Sequence, residues 1–267
     1  MYETSIITSL QNARVKDVCR LQEKSQERRR TGHFVVEGRR ELQRCVAVGY
    51  EVETLMLCAE LAEGFALPEV RETLYVSPAV YAKMAYRGTT EGALGIVRDR
   101  PLALQDIPLD AAPLIVVLES VEKPGNLGAV LRSADAAGAT AVVVCDERCD
   151  LNNPNVVRSS AGTRFSVPCV ACTTASCIDF LKRHGLRILT AQLQDSTPYY
   201  AQDLRQPTAL VFGTESTGLT PAWREAADAH IRIPMHGTAD SLNVSVSAAI
   251  LLFEAERQRQ ETLNVKQ

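Results

Sequence analysis

The chain is poor in aromatic side chains and in net charge. Phenylalanine, tyrosine and tryptophan make up 5% of its 267 residues, and the formal net charge is only −3. A near-neutral chain is not a bulk polyanion binder, and so few rings leave little surface for base stacking. No apolar run approaches the ~20 residues of a membrane-spanning helix. The opening MYETSIITSLQ lacks a basic segment followed by an apolar one. A cytoplasmic protein without a membrane partner is therefore expected, and its eight cysteines read as reduced thiols. Cys169-x2-Cys172 with Cys177 nearby suggests a metal. No histidine lies close, however, and no second CxxC completes four ligands, so no metal is expected and buried thiols are favoured.

What is present begins with apolar residues, at 46% of the chain, enough for a sizeable core. The length suits two modest domains or one large one. Charge is unevenly spread: residues 1–50 hold ten Lys/Arg against six Asp/Glu. Such a local basic face suits phosphate; the alternative is a solvated helix surface with i,i+4 pairs. In SQERRRTGH, Arg28, Arg29 and Arg30 read as an exposed basic turn.

Along residues 1–97, strands and helices alternate. A helix is expected before residue 24, a strand in FVVEG, and a helix in RRELQRCVAVG. Strands follow at Val52–Leu57, Thr73–Val76 and Ala93–Val97, with a Ser77-Pro78 helix start between the last two. The proline-rich stretch Arg98–Ala112 reads as a linker. From residue 113 stronger βα units follow, with strands at Leu114–Leu118, Ala141–Cys145, Arg187–Ala191, Thr208–Phe212 and Ile231–Ile233. Helices are expected at Leu127–Ala137, Pro154–Ala161, Ala175–His184, Pro221–Ala227 and Leu242–Arg259. Apolar strands separated by helices predict a mostly parallel α/β sheet covered on both faces.

Three loops carry the chemistry. PGNLGAVLR follows a strand and runs into a helix, but its glycine spacing is not G-x-G-x-x-G, which disfavours a dinucleotide site. It supplies Asn126 and, six residues on, Arg132. That cation could hold a phosphate or stabilise an oxyanion, or pair with Asp135. In FGTESTGL, Gly213 permits close approach to a strand end, Gly218 permits a turn, and Glu215 lies between them. In IPMHGTADSLNVSVSAAI, Ser241 is an N-cap candidate, Asn243 lies in the first helical turn, and Leu242, Val246, Ile250 and Phe253 form an apolar stripe.

These three motifs, in this order and separation, resemble those of the SpoU/TrmH branch of the SPOUT RNA methyltransferases. NPNVVRSSAGTRFSVP resembles the segment that links the family's motifs, and residues 1–97 resemble its appended substrate-binding domain. The resemblance implies an RNA-binding domain at 1–97, a linker at 98–112, and a methyltransferase domain at 113–267 with a deep trefoil knot. It implies S-adenosylmethionine as co-substrate, held near Gly213, Thr214, Glu215, Ile233, Met235 and Leu242. Arg132, Asn126, Glu215, Ser241 and Asn243 match active-site positions. The expected reaction is methylation of a ribose 2′-hydroxyl in structured RNA, ribosomal rather than transfer RNA, by a homodimer. Arg28, Arg29, Arg30 and Arg39 are the expected RNA contacts. The alternative is a non-catalytic RNA-binding or ribosome-assembly factor that kept the fold.

Overall fold

The computed structural model describes residues 6–67, 70–86, 91–214 and 217–264. The chain forms two compact units, Met1–Arg100 with Asp150–Ser166, and Pro101–Cys149 with Val167–Gln267.

In the first unit, β1 (Ile6–Ile7), α1 (Ala13–Glu23), α2 (Ser25–Thr31), β2 (His33–Glu37) and α3 (Arg39–Ala47) come first. Then follow β3 (Val52–Leu57), β4 (Glu72–Val76), α4 (Pro78–Met84) and β5 (Ala93–Arg98). The sheet order is β1-β4-β3-β5-β2, parallel across β1, β4 and β3 and antiparallel where β5 meets β3 and β2. The period-two alternation of strand side chains fills two cores. Phe34 and Val36 face Leu42 and Cys45 of α3. Val35, between them, faces Val15 and Val18 of α1 and Tyr81 of α4. Ser77 caps α4 as its sequence predicts, accepting from the Val80 amide at 3.4 Å.

Two expectations change here. SQERRRTGH is a helix, α2, closed by Gly32 at φ 68°, rather than a basic turn. Gly32 takes the left-handed conformation that ends a helix without a Cβ penalty. The segment 150–166 also departs from its place in the sequence. Its two short helices, α6 (Pro154–Ser159) and α7 (Thr163–Ser166), belong to the first unit. There Phe165 stacks on Phe34 with centroids 6.1 Å apart and meets Tyr50 edge-on at 5.3 Å.

The second unit contains β6 (Leu114–Glu119), α5 (Pro124–Ala136) and β7 (Ala141–Cys145), then β8 (Cys169–Cys172), α8 (Thr174–Arg183), β9 (Arg187–Ala191) and β10 (Thr197–Pro198). It closes with β11 (Thr208–Phe212), α9 (Pro221–Ala226), β12 (Ala229–Arg232) and α10 (Val244–Asn264). All seven strands are parallel, in the order β10-β12-β9-β11-β6-β7-β8. Every residue of β6, β7 and β11 is buried, which is why each reads as a mostly apolar run. Ile115, Val117, Val143 and Val211 form one core with Phe180 and Leu181 of α8 and Trp223 of α9. α10 packs on α5 and on β11, with Ala248, Leu251, Leu252 and Ala255 buried.

The stretch expected as a linker is packed instead. Leu102 bridges to Val170, Ile107 is buried, and Leu102, Leu104 and Leu109 rest on the sheet core. Its prolines interrupt regular structure while its leucines pay back burial. Among the described residues no helix is long and apolar enough to cross a membrane.

Candidate active site

Parallel strands put all their C-terminal ends on one edge, where ligands of open α/β sheets gather. On that edge three neighbouring strands, β12, β9 and β11, open into a cavity of about 340 Å³. Gly213, Thr214, Ile233, Met235, Ser241 and Leu242, six of the residues expected at the site, lie on its wall.

β11 ends at Gly213 because nothing larger fits. A Cβ there would fall on the Gly218 carbonyl group and the Leu219 nitrogen. The loop folds back so closely because Thr214 and Gly218 exchange backbone hydrogen bonds of 3.2 and 3.1 Å. The Thr214 hydroxyl accepts from the Thr217 amide at 3.0 Å, and Gly218 completes the turn at φ 69°. Glu215 lies outside the described residues.

Asn126 sits in the first turn of α5, since Pro124 occupies the first helical position, where its missing N–H costs nothing. PGN is thus helix rather than loop. Asn243, immediately before α10, donates from Nδ2 to Asn126 Oδ1 at 3.1 Å. Its own Oδ1 accepts from the Ser245 amide at 2.9 Å and the Ser245 hydroxyl at 2.7 Å. Asn243 is therefore the cap of α10, not Ser241 as the sequence suggested; Ser241 is exposed on the cavity wall. Arg132 projects from α5, exposed, on the helix that α10 packs against. It is not part of the cavity wall.

Sequence reasoning missed β9's contribution. Gln192, Leu193 and Gln194 line the cavity. Gln192 Nε2 donates to the Gln194 carbonyl at 2.9 Å, while its buried Oε1 has no hydrogen-bond partner among the described residues. The available signal was a polar amide directly after the apolar strand Arg187–Ala191. Glu119 was also missed. This buried carboxylate ends β6 and accepts from the Thr220 amide at 2.8 Å and hydroxyl at 2.7 Å. It anchors the chain between the β11 loop and α9.

The four arginines expected on RNA lie in the first unit, and the structure reassigns one of them, Arg28. Arg28 is buried, paired with Asp150 at 2.6 Å, and donates to the carbonyls of Leu21 at 2.6 Å and Gln22 at 3.0 Å. A guanidinium so engaged is a structural cross-link. Arg39 donates from Nε to the Glu91 carbonyl at 3.0 Å and from Nη2 to the Leu61 carbonyl at 2.6 Å, and lies over the Phe65 ring. Arg29 and Arg30 are exposed; Arg30 pairs with Glu27 at 2.6 Å, which holds the Glu27 carboxyl below its ordinary range through that hydrogen bond.

The family model for SpoU rRNA methylases matches residues 113–253. The chain belongs to the SpoU rRNA methylase family. A model of the MRM3-like substrate binding domain matches residues 12–95. Among SpoU-type relatives, the chain is 30% identical over 247 residues to the 23S rRNA (guanosine(2553)-2'-O)-methyltransferase RlmP of Bacillus subtilis (strain 168), covering 92% of this chain and 97% of that one. A crystal structure of an RNA 2'-O ribose methyltransferase is 40% identical, with a TM-score of 0.83 over 96% of this chain and all of the other. An AdoMet-bound rRNA methyltransferase from Sinorhizobium meliloti is 31% identical, with a TM-score of 0.86, covering 95% of this chain and 97% of its own.

The cavity fits S-adenosylmethionine on its own chemistry. Leu193, Ile233, Met235 and Leu242 supply an apolar wall, and Gln192 Oε1 is a buried acceptor in need of a donor.

Proposed function

We propose that this chain methylates the 2′-hydroxyl of a ribose in structured ribosomal RNA, using S-adenosylmethionine held in the cavity at the ends of β9, β11 and β12. The observation that carries this reading is the Asn243–Asn126 hydrogen bond. It ties the helix bearing Arg132 to the loop that walls the cavity, so cation and cofactor side belong to one site.

S-adenosylmethionine supplies a methyl group already activated on a sulfonium. The protein's work is then alignment and management of the hydroxyl proton. A guanidinium does not give up its proton in proteins, so Arg132 acts as a fixed cation. It grips substrate phosphate and favours alkoxide character at the 2′-oxygen, easing loss of the proton to water. Asn126 and Asn243 hold α5 and α10 in register around the ribose. Ser241 shapes the loop before α10, Glu215 serves the β11 loop, and the family's trefoil knot threads these loops together.

Two further features complete the proposal. α10 exposes Val246 at 46% and Phe253 at 48%, seven residues apart and so on one face, with half-buried Ile250 between them. This stripe, opposite the buried Leu251 and Ala255, is the proposed homodimer contact. In the first unit, exposed Arg29 and Arg30 contribute phosphate contacts that position RNA. The relative from Bacillus subtilis is named for 23S rRNA, which supports ribosomal over transfer RNA, and a cytoplasmic reaction is part of the same proposal.

The test incubates purified protein with radiolabelled S-adenosylmethionine and, separately, 23S rRNA, 16S rRNA and total tRNA, then maps 2′-O-methyl positions. Label in one 23S nucleotide is expected. Cofactor binding without label in any RNA would instead favour the non-catalytic assembly factor.

A further inference from the structure

A second cluster of reactive groups lies on the same unit, and the proposed methyl transfer does not use it. Cys145 ends β7, Cys172 ends β8, and the two are register partners in adjacent parallel strands. Cys177 lies in α8, five residues beyond Cys172. The three sulfur atoms all lie within 4.8 Å of one another. Sequence spacing pointed to Cys169 with Cys172; sheet pairing puts Cys145 there instead.

We propose that Cys145, Cys172 and Cys177 form a three-thiolate site for one thiophilic cation of the zinc(II) or copper(I) kind. Zinc–sulfur bonds of about 2.3 Å set ligand sulfurs roughly 3.8 Å apart around one ion, so side-chain rotation alone closes the cluster. A single disulfide would use two of these sulfurs and strand the third; a cation uses all three. Soft thiolates select this class of metal over magnesium or calcium.

The surroundings suit such a site. Cys145 and Cys177 belong to the apolar core with Val170, Phe180 and Leu181, which keeps one side dry. Cys172 is half-buried and leaves the other side open to water as a fourth ligand. Among the described residues no further His, Cys, Asp or Glu joins the group. Binding releases the three thiol protons to solvent and leaves the zinc complex with one net negative charge. The N-terminus of α8 offsets that charge. Thr173 caps this helix, and the Cys177 amide donates to the Thr173 carbonyl at 3.0 Å.

The experiment uses full-length protein, reduced and chelator-treated, titrated anaerobically with cobalt(II), then zinc(II), and in a parallel arm with copper(I). The expected result is a thiolate-to-cobalt charge-transfer band that saturates at one equivalent and is displaced by zinc(II). The band is lost in Cys172→Ser and kept in Cys58→Ser, a buried thiol of the other unit. Displacement of bound zinc by stoichiometric copper(I) would identify copper as the preferred ion; its failure would identify zinc. Absence of any band, or a band that survives Cys172→Ser, overturns the proposal. Should Cys172→Ser not fold, maleimide labelling of wild-type Cys172 decides. Metal-dependent protection supports the site, and equal labelling with and without metal overturns it.

Discussion

Asn243 and Asn126 are 117 residues apart in sequence and share a 3.1 Å hydrogen bond. Asn243 uses its two side-chain atoms for two tasks. The nitrogen reaches α5, and the oxygen caps α10. A change at this residue thus affects the stability of one helix and the placement of another, and substitutions can separate the two effects.

Asn243→Ala removes both and is expected to cost about 1 kcal/mol of stability, the usual value of an N-cap, together with turnover. Asn243→Ser keeps a capping oxygen but cannot span to Asn126. It should recover most of the melting temperature and little of the activity. Equal recovery of both would show that the bridge to α5 is incidental.

Arg132→Ala is expected to leave the affinity for S-adenosylmethionine unchanged, because Arg132 is not on the cavity wall. Turnover should fall by about a hundredfold to a thousandfold, the usual effect of deleting one transition-state donor. Calorimetric titration of the cofactor alongside single-turnover methylation separates the two. Parallel loss of binding would place Arg132 on the cofactor instead.

The arginines of α2 are expected to divide sharply. Arg28→Ala removes the ion pair from an Asp150 side chain that is only 16% exposed, and should destabilise the protein by about 3 kcal/mol. Arg29→Ala should leave the melting temperature unchanged and lower RNA affinity. It should also flatten the dependence of log affinity on log salt by about one unit, as loss of one phosphate contact does. An unaltered salt slope would remove Arg29 from the RNA face.

Glu37 gives the stability a pH dependence. Burial pushes its carboxyl up, against the opposing donation from the Tyr86 amide. At acid pH the carboxyl is neutral in folded and unfolded chains alike and imposes no penalty. As pH rises past about 4, the unfolded chain ionises first, and the folded chain must then bear a poorly solvated charge. Wild type is therefore expected to lose stability relative to Glu37→Gln between pH 4 and 7. Melting curves of both proteins across that range check it; a constant gap would show that the Glu37 carboxylate is fully compensated.

Phe253→Glu should convert the proposed dimer to monomer in light scattering, since it puts charge on an exposed apolar stripe while leaving the buried face of α10 intact. An unchanged mass would move the contact elsewhere.

Strands buried on both faces were legible because such a strand is dominated by apolar residues. Ala141–Cys145, Arg187–Ala191 and Thr208–Phe212 match their predicted limits. The two-residue strands β1 and β10 were not legible, because so short a pairing leaves no period. The final helix was legible in extent but not in face. Val246 and Phe253 of its apolar stripe are exposed, whereas the buried side is made by Ala248, Leu251, Leu252 and Ala255, which the stripe alone does not reveal. At the site, the glycines and asparagines stood out through their motifs. Gln192 did not, because its meaning depends on β9 lying between β11 and β12. Arg28 misled for a similar reason: three consecutive arginines look solvated until Asp150, far along the chain, supplies the partner.

The return of residues 150–166 to the first unit has a consequence for modularity. The chain passes between its units at three points, after residues 100, 149 and 166. Fusing residues 1–100 to another enzyme would deliver a module without Asp150 and Phe165, hence with a buried arginine uncompensated and an aromatic cluster broken. Moving the first unit to another enzyme therefore takes both of its segments, because no single cut in the gene releases that unit whole.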